Sequence, residues 1–346
     1  MQNNPFSLDF GAEPGLYIPR LSEQSKIIDT FTSKTPSSHI FLIIGARGSG
    51  KTVLMTSISH EIIKDDKWLH VDLSSEGDLL NSLATQIYKN TKAKFPKIKL
   101  DISIKGVGVT LENDDKYQDI QVDLDTMIKT LDKKGIKLLI TVDEIINAKN
   151  IREFTSYYQH AIREKLPVFL IMTGLFKNIR ALQNNRSQTF LKRAPKVELG
   201  SLNLLRIASK YEEVFGLSFE YAEEMAKETA GYSYAFQLLG YYTYEAGKKM
   251  PDKSVMLDYV VALEEGSYEK IWEELSQDEK RIAIAIAKAD SNVTTKEIRE
   301  ELELNSNSFS TYQNVLKKSG VLSSATSYGT LGFELPYFRE FVLRQA

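Results

Sequence analysis

The sequence predicts an α/β protein: a parallel sheet, then a helical segment, then a C-terminal helix-turn-helix with a wing. Three observations carry this. Apolar runs of strand length, at 40–44, 68–73, 137–142 and 168–172, alternate with stretches of helical periodicity, as in a sheet covered by crossover helices. A glycine-rich octet follows the first of these runs and opens a helix. From Leu202 onward the strands stop and short helices punctuated by Gly216, Gly231 and Pro251 take over.

The first strand, Ile40-Phe41-Leu42-Ile43-Ile44, leads into Gly45-Ala46-Arg47-Gly48-Ser49-Gly50-Lys51-Thr52, which fits G-x-x-x-x-G-K-[ST]. Val53 to Ile63 follows with apolar residues at helical spacing, so the motif stands in the strand–loop–helix context it needs. Glycines allow successive backbone N–H groups to turn around a phosphate chain, and the helix N-terminus adds its positive end. Lys51 is placed to reach β- and γ-phosphates and the Thr52 hydroxyl to ligate Mg²⁺. A nucleoside polyphosphate, ATP or ADP with Mg²⁺, is the expected ligand.

The second strand, Trp68 to Leu73, precedes a helix over 78–89. Between the helices of this α/β region, residues 97–111 alternate Ile98, Leu100, Ile102 and Ile104 with polar residues, which predicts an amphipathic hairpin that packs on its own domain or touches a partner. The third strand, Lys137 to Val142, ends in Asp143-Glu144. In a parallel sheet the strand C-termini line the ligand crevice. Asp143 is therefore the expected Mg²⁺ carboxylate and Glu144 the residue that polarises the attacking water; a Glu here argues for hydrolysis. A helix over 150–165 stops before Pro167. The next strand, Val168 to Met172, ends in Thr173-Gly174; if it lies between the other two, Thr173 faces the γ-phosphate region.

Composition narrows the class. With 346 residues and 42% hydrophobic content, two or three domains are expected, and 26% charge with a net of −2 provides no global attraction for nucleic acid or anionic lipid. The absence of cysteine excludes disulfides, thiolate metal sites and cysteine nucleophiles. Four histidines, His39, His60, His70 and His160, lack metal-ligand spacing. The N-terminus has no basic-then-apolar signal pattern and no apolar run approaches membrane length, so a cytoplasmic location without a membrane partner is expected.

Candidate helices continue at 203–215, 218–230, 233–249 and 254–265. Tyr232, Tyr234, Tyr241, Tyr242 and Tyr244 crowd the third of them, as packing residues rather than a base-stacking platform. Ser276-Gln277-Asp278-Glu279 and Thr294-Thr295-Lys296-Glu297 read as capping boxes that open two helices, and a third runs over 306–318 to Gly320. Val321 to Ser324 and Leu331 to Leu335 read as a wing hairpin.

These residues, in this order, resemble the AAA+/STAND class of P-loop ATPases, near the archaeal origin-recognition proteins and a bacterial group of ATP-binding proteins. The resemblance runs from Asn4-Pro5-Phe6 and Phe10-Gly11 through the phosphate loop, Val142-Asp143-Glu144, Met172 to Leu175, Thr189 to Ala194 and Gly231 to Gly240. It implies an AAA+-type ATPase domain over 1–201, a helical lid over 202–265 and a winged helix-turn-helix over 266–346. It implies that Tyr17-Ile18-Pro19-Arg20 lies over the adenine and that Thr173 is sensor 1. By the same resemblance Arg193 is an arginine finger, in trans if the chain forms a homo-oligomer. The lid departs from the replication initiators: where many carry a sensor 2 arginine, this chain has Gly231-Tyr232-Ser233-Tyr234, with no basic residue.

Two functional readings stay open. In one, the protein is a DNA-linked ATPase with its winged helix on a duplex. In the other, it is a STAND-like switch whose winged helix docks a partner or inhibits the ATPase. Lys and Arg balance Asp and Glu nine to nine over 276–346, whereas DNA-binding domains usually present a basic footprint.

Overall fold

The computed structural model describes residues 3–8, 14–99, 120–289, 293–323 and 329–346. Most of the expected 97–111 hairpin, the Phe10-Gly11 pair and residues 324–328 of the expected wing lie outside these residues. Contacts group the chain into two compact units. One comprises 20–44 and 54–198; the other comprises 1–19, 45–53 and 199–346.

The first of these units holds the sheet. Its strands are β1 (Ile40–Gly45), β2 (Trp68–Leu73), β3 (Lys137–Val142), β4 (Val168–Gly174) and β5 (Lys196–Leu199), in the order β2-β3-β4-β1-β5. The β2–β3, β3–β4 and β4–β1 pairs are parallel, with Ile43 opposite Thr173. β4, central in the order, is buried at every position, as a strand covered on both faces must be. β5, at the edge, alternates exposed Lys196 and Glu198 with buried Val197 and Leu199, a period too short to stand out in sequence.

Helices α1 (Leu21–Thr32), α2 (Lys51–Ile62), α3 (Leu79–Lys94), α4 (Ile120–Asp132), α5 (Lys149–Arg163) and α6 (Phe176–Asn184) connect the strands, and a 3₁₀ helix, Arg186–Arg193, leads to β5. Asp78 opens α3 by accepting from the N–H groups of Leu80 and Asn81. α5 buries Ile151, Phe154, Tyr157, Tyr158 and Ala161, the apolar stripe of an amphipathic helix, in a core shared with Leu83, Ile87, Leu138, Ile140, Leu170 and Met172. β4 thus lies between β3 and β1.

In the other unit, α7 (Leu204–Phe215), α8 (Phe219–Lys227), α9 (Ser233–Glu245) and α10 (Lys253–Leu263) are followed by a π turn, Glu264–Tyr268, and α11 (Glu269–Glu274). Asn203 caps α7 and Gly216 ends it in the left-handed region. Then come α12 (Gln277–Lys288), α13 (Thr295–Glu301) and α14 (Ser306–Lys318). Both expected capping boxes are formed, at Ser276 and at Thr294. An antiparallel pairing follows, with the Ser323 N–H donating to Gly332 O at 2.8 Å and that of Glu334 to Val321 O at 3.0 Å, before α15 (Phe338–Arg344). One hydrophobic core runs from Tyr211 and Phe236 through Tyr259 and Tyr268 to Ile282, Phe309 and Phe338. No helix among the described residues is long and apolar enough to cross a membrane.

Phe6, 2% exposed, inserts into this core against Tyr211, Phe215 and Phe236, with ring centroids 5.6–6.0 Å apart. Its ring lies where a side chain on Gly240 of α9 would be. Gly240→Ala is therefore expected to destabilise the protein by about 1–3 kcal/mol through displacement of Phe6. Helix propensity alone would stabilise it by about 1 kcal/mol, so the sign discriminates. Urea unfolding measures it; a stabilised variant would mean that Phe6 does not dock on α9.

Candidate nucleotide-binding site

The phosphate loop and the carboxylate pair belong to different units and each is built locally. β1 ends at Gly45, and the loop turns through an Ser49 N–H to Ala46 O bond of 3.2 Å before α2 begins at Lys51. Gly48 has φ of +68°, a conformation that L side chains rarely adopt. A Cβ on Gly48 would also overlap the Tyr232 hydroxyl and come within 2.9 Å of Tyr234 Cβ. Lys51 is 6% exposed, and its ammonium donates to Gly45 O at 3.3 Å and Ala46 O at 2.8 Å. A buried ammonium needs such acceptors, and phosphate oxygens are stronger ones than carbonyls. Glycines at 45 and 48 where a Cβ would collide, a buried ammonium beside them and the Thr52 hydroxyl next in sequence fit a Mg²⁺-bound polyphosphate. Ala46 and Ser49 are buried, and Arg47, Thr52 and Val53 are half-buried.

The carboxylate pair follows β3. The Thr173 hydroxyl, fully buried at the end of β4, donates to Asp143 Oδ1. The Glu144 N–H points to both, at 3.0 Å from Asp143 Oδ1 and 3.1 Å from Thr173 Oγ1. The Ile145 N–H donates to Thr173 O at 2.9 Å. This bracing holds Glu144 at φ of +50°, an uncommon conformation for a glutamate, with its side chain exposed. Asp143 is half-buried, and its Oδ1 takes both the Thr173 and the Glu144 bond.

The other expected site residues are dispersed. Arg193 ends the 3₁₀ helix, exposed. In the N-terminal segment Ile18 is buried in the core of the helices that follow β5, while Tyr17, Pro19 and Arg20 are half-buried. Helices α7 and α9 hold this segment by its backbone: Gln237 donates to Leu16 O at 2.7 Å and Arg206 to Pro19 O at 3.3 Å. Burial lowers the pKa of the Arg20 guanidinium, with Glu23 acting in the opposite direction. Among the described residues no three His, Asp or Glu side chains group as a metal site; a Mg²⁺ held largely by phosphates and water needs only one or two protein ligands.

Sequence reading missed a set of residues that touch the phosphate loop from far along the chain. The Tyr232 hydroxyl donates to Arg47 O at 2.7 Å, the Ser233 hydroxyl to Ser49 O at 3.2 Å, and Glu274 pairs with the Arg47 guanidinium at 3.0 Å. Gly320, just past α14, lies so close that a Cβ there would be 2.7 Å from Ala46 Cβ. The only sequence signal was the Gly231-Tyr232-Ser233-Tyr234 block itself, conspicuous for having hydroxyls where a basic residue is common in the family it resembles.

A family profile described as a domain of unknown function (DUF8462) matches residues 265–342. No curated protein is similar enough in sequence to match. Among solved structures the chain is similar to a Walker-type ATPase of Pyrococcus abyssi, with 15% identity, a TM-score of 0.66 and coverage of 95% of this chain and 96% of that one. It is similar to the ORC2 protein of Aeropyrum pernix, solved as ADPNP–ADP complexes, with 14% identity, a TM-score of 0.63 and 97% of each chain covered. It is also similar to Cdc6p of Pyrobaculum aerophilum, with 13% identity, a TM-score of 0.51 and coverage of 98% and 99%. Over nearly its whole length the chain resembles in fold the archaeal Walker-type, ORC and Cdc6 proteins, with the α/β parallel sheet of AAA+ ATPases.

Proposed function

We propose that this protein is a Mg²⁺-dependent ATP-binding and ATP-hydrolysing AAA+ protein whose C-terminal winged helix acts on or with DNA. The observation that carries the reading is the phosphate loop: a strand, a glycine cradle and a helix that starts at a buried lysine ammonium. The loop from Gly45 to Val53 receives the phosphates, Lys51 neutralises them, and Tyr17 to Arg20 covers the adenine. Thr52 and Asp143 hold the Mg²⁺, which when bound offsets charge on the phosphates. Glu144 draws a proton from the attacking water, and Thr173 orients Asp143 and the Glu144 backbone, as its hydrogen bonds suggest. Arg193, exposed at the end of its 3₁₀ helix, is suited to reach a neighbouring subunit in a homo-oligomer. The nucleotide complexes of the similar ORC2 structure support the choice of an adenine nucleotide. Residues 1–201 then act as the ATPase domain, 202–265 as lid and 266–346 as winged helix.

For DNA, α14 is the helix that enters the major groove: Ser310, Thr311 and Asn314 are exposed, and Lys317 and Lys318 stand at its end near phosphates. One observation favours the switch reading instead, namely that the end of this helix, at Gly320, packs on Ala46 of the phosphate loop. Fluorescence anisotropy with a labelled duplex, at low salt and with Mg²⁺-ATP, separates the two. DNA binding is expected to be weak, with a salt slope of about two to four phosphates. Lys317→Glu with Lys318→Glu should abolish it and leave ATP affinity unchanged. No duplex binding by the unaltered protein would leave the winged helix as a docking or inhibitory module.

A further inference from the structure

The lid contacts on the phosphate loop have a directional consequence. A trans peptide is planar, and its C=O and N–H point in opposite directions. The carbonyl of Arg47 shares a peptide with the N–H of Gly48, and that of Ser49 shares one with the N–H of Gly50. Tyr232 holds the first carbonyl at 2.7 Å and Ser233 the second at 3.2 Å. The Gly48 and Gly50 N–H groups are thereby turned away from the lid residues. Both glycines have positive φ, +68° and +88°, and lack the Cβ that would limit peptide reorientation. Without the two hydroxyls these peptides could rotate and spend their N–H groups elsewhere. The Tyr232 ring is fixed by packing: it is 5% exposed and meets Tyr234 edge-on at 6.2 Å, while its hydroxyl also shares a 2.7 Å hydrogen bond with Ser267 of the π turn. Burial also raises its pKa, so the hydroxyl stays a protonated donor.

We propose that Tyr232 and Ser233 are positioning residues for phosphate binding, which act through the loop backbone by orienting the Gly48 and Gly50 N–H groups, and so do with two neutral hydroxyls on peptide carbonyls what a cationic lid residue would do on the nucleotide itself. This rests on the reading that the loop binds nucleotide phosphates. It makes loop affinity depend on lid seating, because the same four-residue turn starts α9 and carries both hydroxyls.

Isothermal titration of the full-length protein with Mg²⁺-ATP tests this, using wild type, Tyr232→Phe, Ser233→Ala and Ser267→Ala. Tyr232→Phe keeps the ring and should weaken affinity about fivefold, the worth of one hydrogen bond. Ser233→Ala should weaken it about threefold. Ser267→Ala removes the other partner of Tyr232 and should leave affinity within about twofold, since the bond to Arg47 remains. In spectra of ¹⁵N-glycine-labelled protein, the Gly48 and Gly50 amides should shift in the first two variants before nucleotide is added. Should Tyr232→Phe misfold, Ser233→Ala and its Gly50 signal still decide. Wild-type affinity with unmoved glycine amides in the Tyr232 and Ser233 variants overturns the inference. An equal loss in Ser267→Ala also overturns it, because a packing effect would then explain both. Absence of Mg²⁺-ATP binding by the wild type overturns the nucleotide reading itself and the inference with it.

Discussion

Lys51→Ala loses measurable binding of Mg²⁺-ATP, with affinity lowered by about 100-fold or more. The ammonium is buried within the loop and already directed at two carbonyl oxygens, so its chain is committed to the cradle rather than to solvent. Hydrogen bonds to charged groups contribute about 1.5–3 kcal/mol each, and two such bonds to phosphate oxygens account for a loss of this size. Alanine is a good helix former and sits here at the first position of α2, so the fold should tolerate it. Circular dichroism and thermal unfolding without nucleotide separate loss of binding from loss of structure. Calorimetric affinity equal to wild type would remove the loop from the function.

Glu144→Gln keeps nucleotide affinity and lowers steady-state hydrolysis by about 10²–10⁴-fold, the usual range for loss of a general base. The structure favours a clean result. The Glu144 backbone is held by its N–H bonds to Asp143 Oδ1 and Thr173 Oγ1, and neither involves the side chain that is changed. The side chain is exposed, so glutamine buries no new polar group. Phosphate release under saturating Mg²⁺-ATP is the measurement. Turnover at the wild-type rate would show that another group orients the water.

Local chemistry was enough to locate the phosphate loop, the carboxylate pair and most helices. The loop is legible because the left-handed conformation at Gly48 favours glycine and because an apolar strand and a helix flank it within a few residues. The helix starts at 277 and 295 are legible for the same kind of reason, since a capping box spans only four residues. Thr173 stood out as a polar residue ending an apolar strand, but its hydrogen bond to Asp143 depends on β3 and β4 being neighbours, which no local signal specifies. β5 and the 3₁₀ helix escaped notice because four alternating residues and a run with weak apolar periodicity fall below what pattern can separate from a loop.

The contacts of Tyr232 and Ser233 on the loop belong to packing alone. Tyr232 and Arg47 are 185 positions apart, and a tyrosine hydroxyl has no preference in sequence for one carbonyl over another. Its partner is chosen by the core around Tyr211, Phe236 and Tyr268 that seats the turn, and by a glycine at 48 that leaves room for the ring. Short-range sterics and hydrogen bonding write motifs into the chain. Which distant groups complete them is set by how buried surfaces fit, and that information is spread over many residues at once.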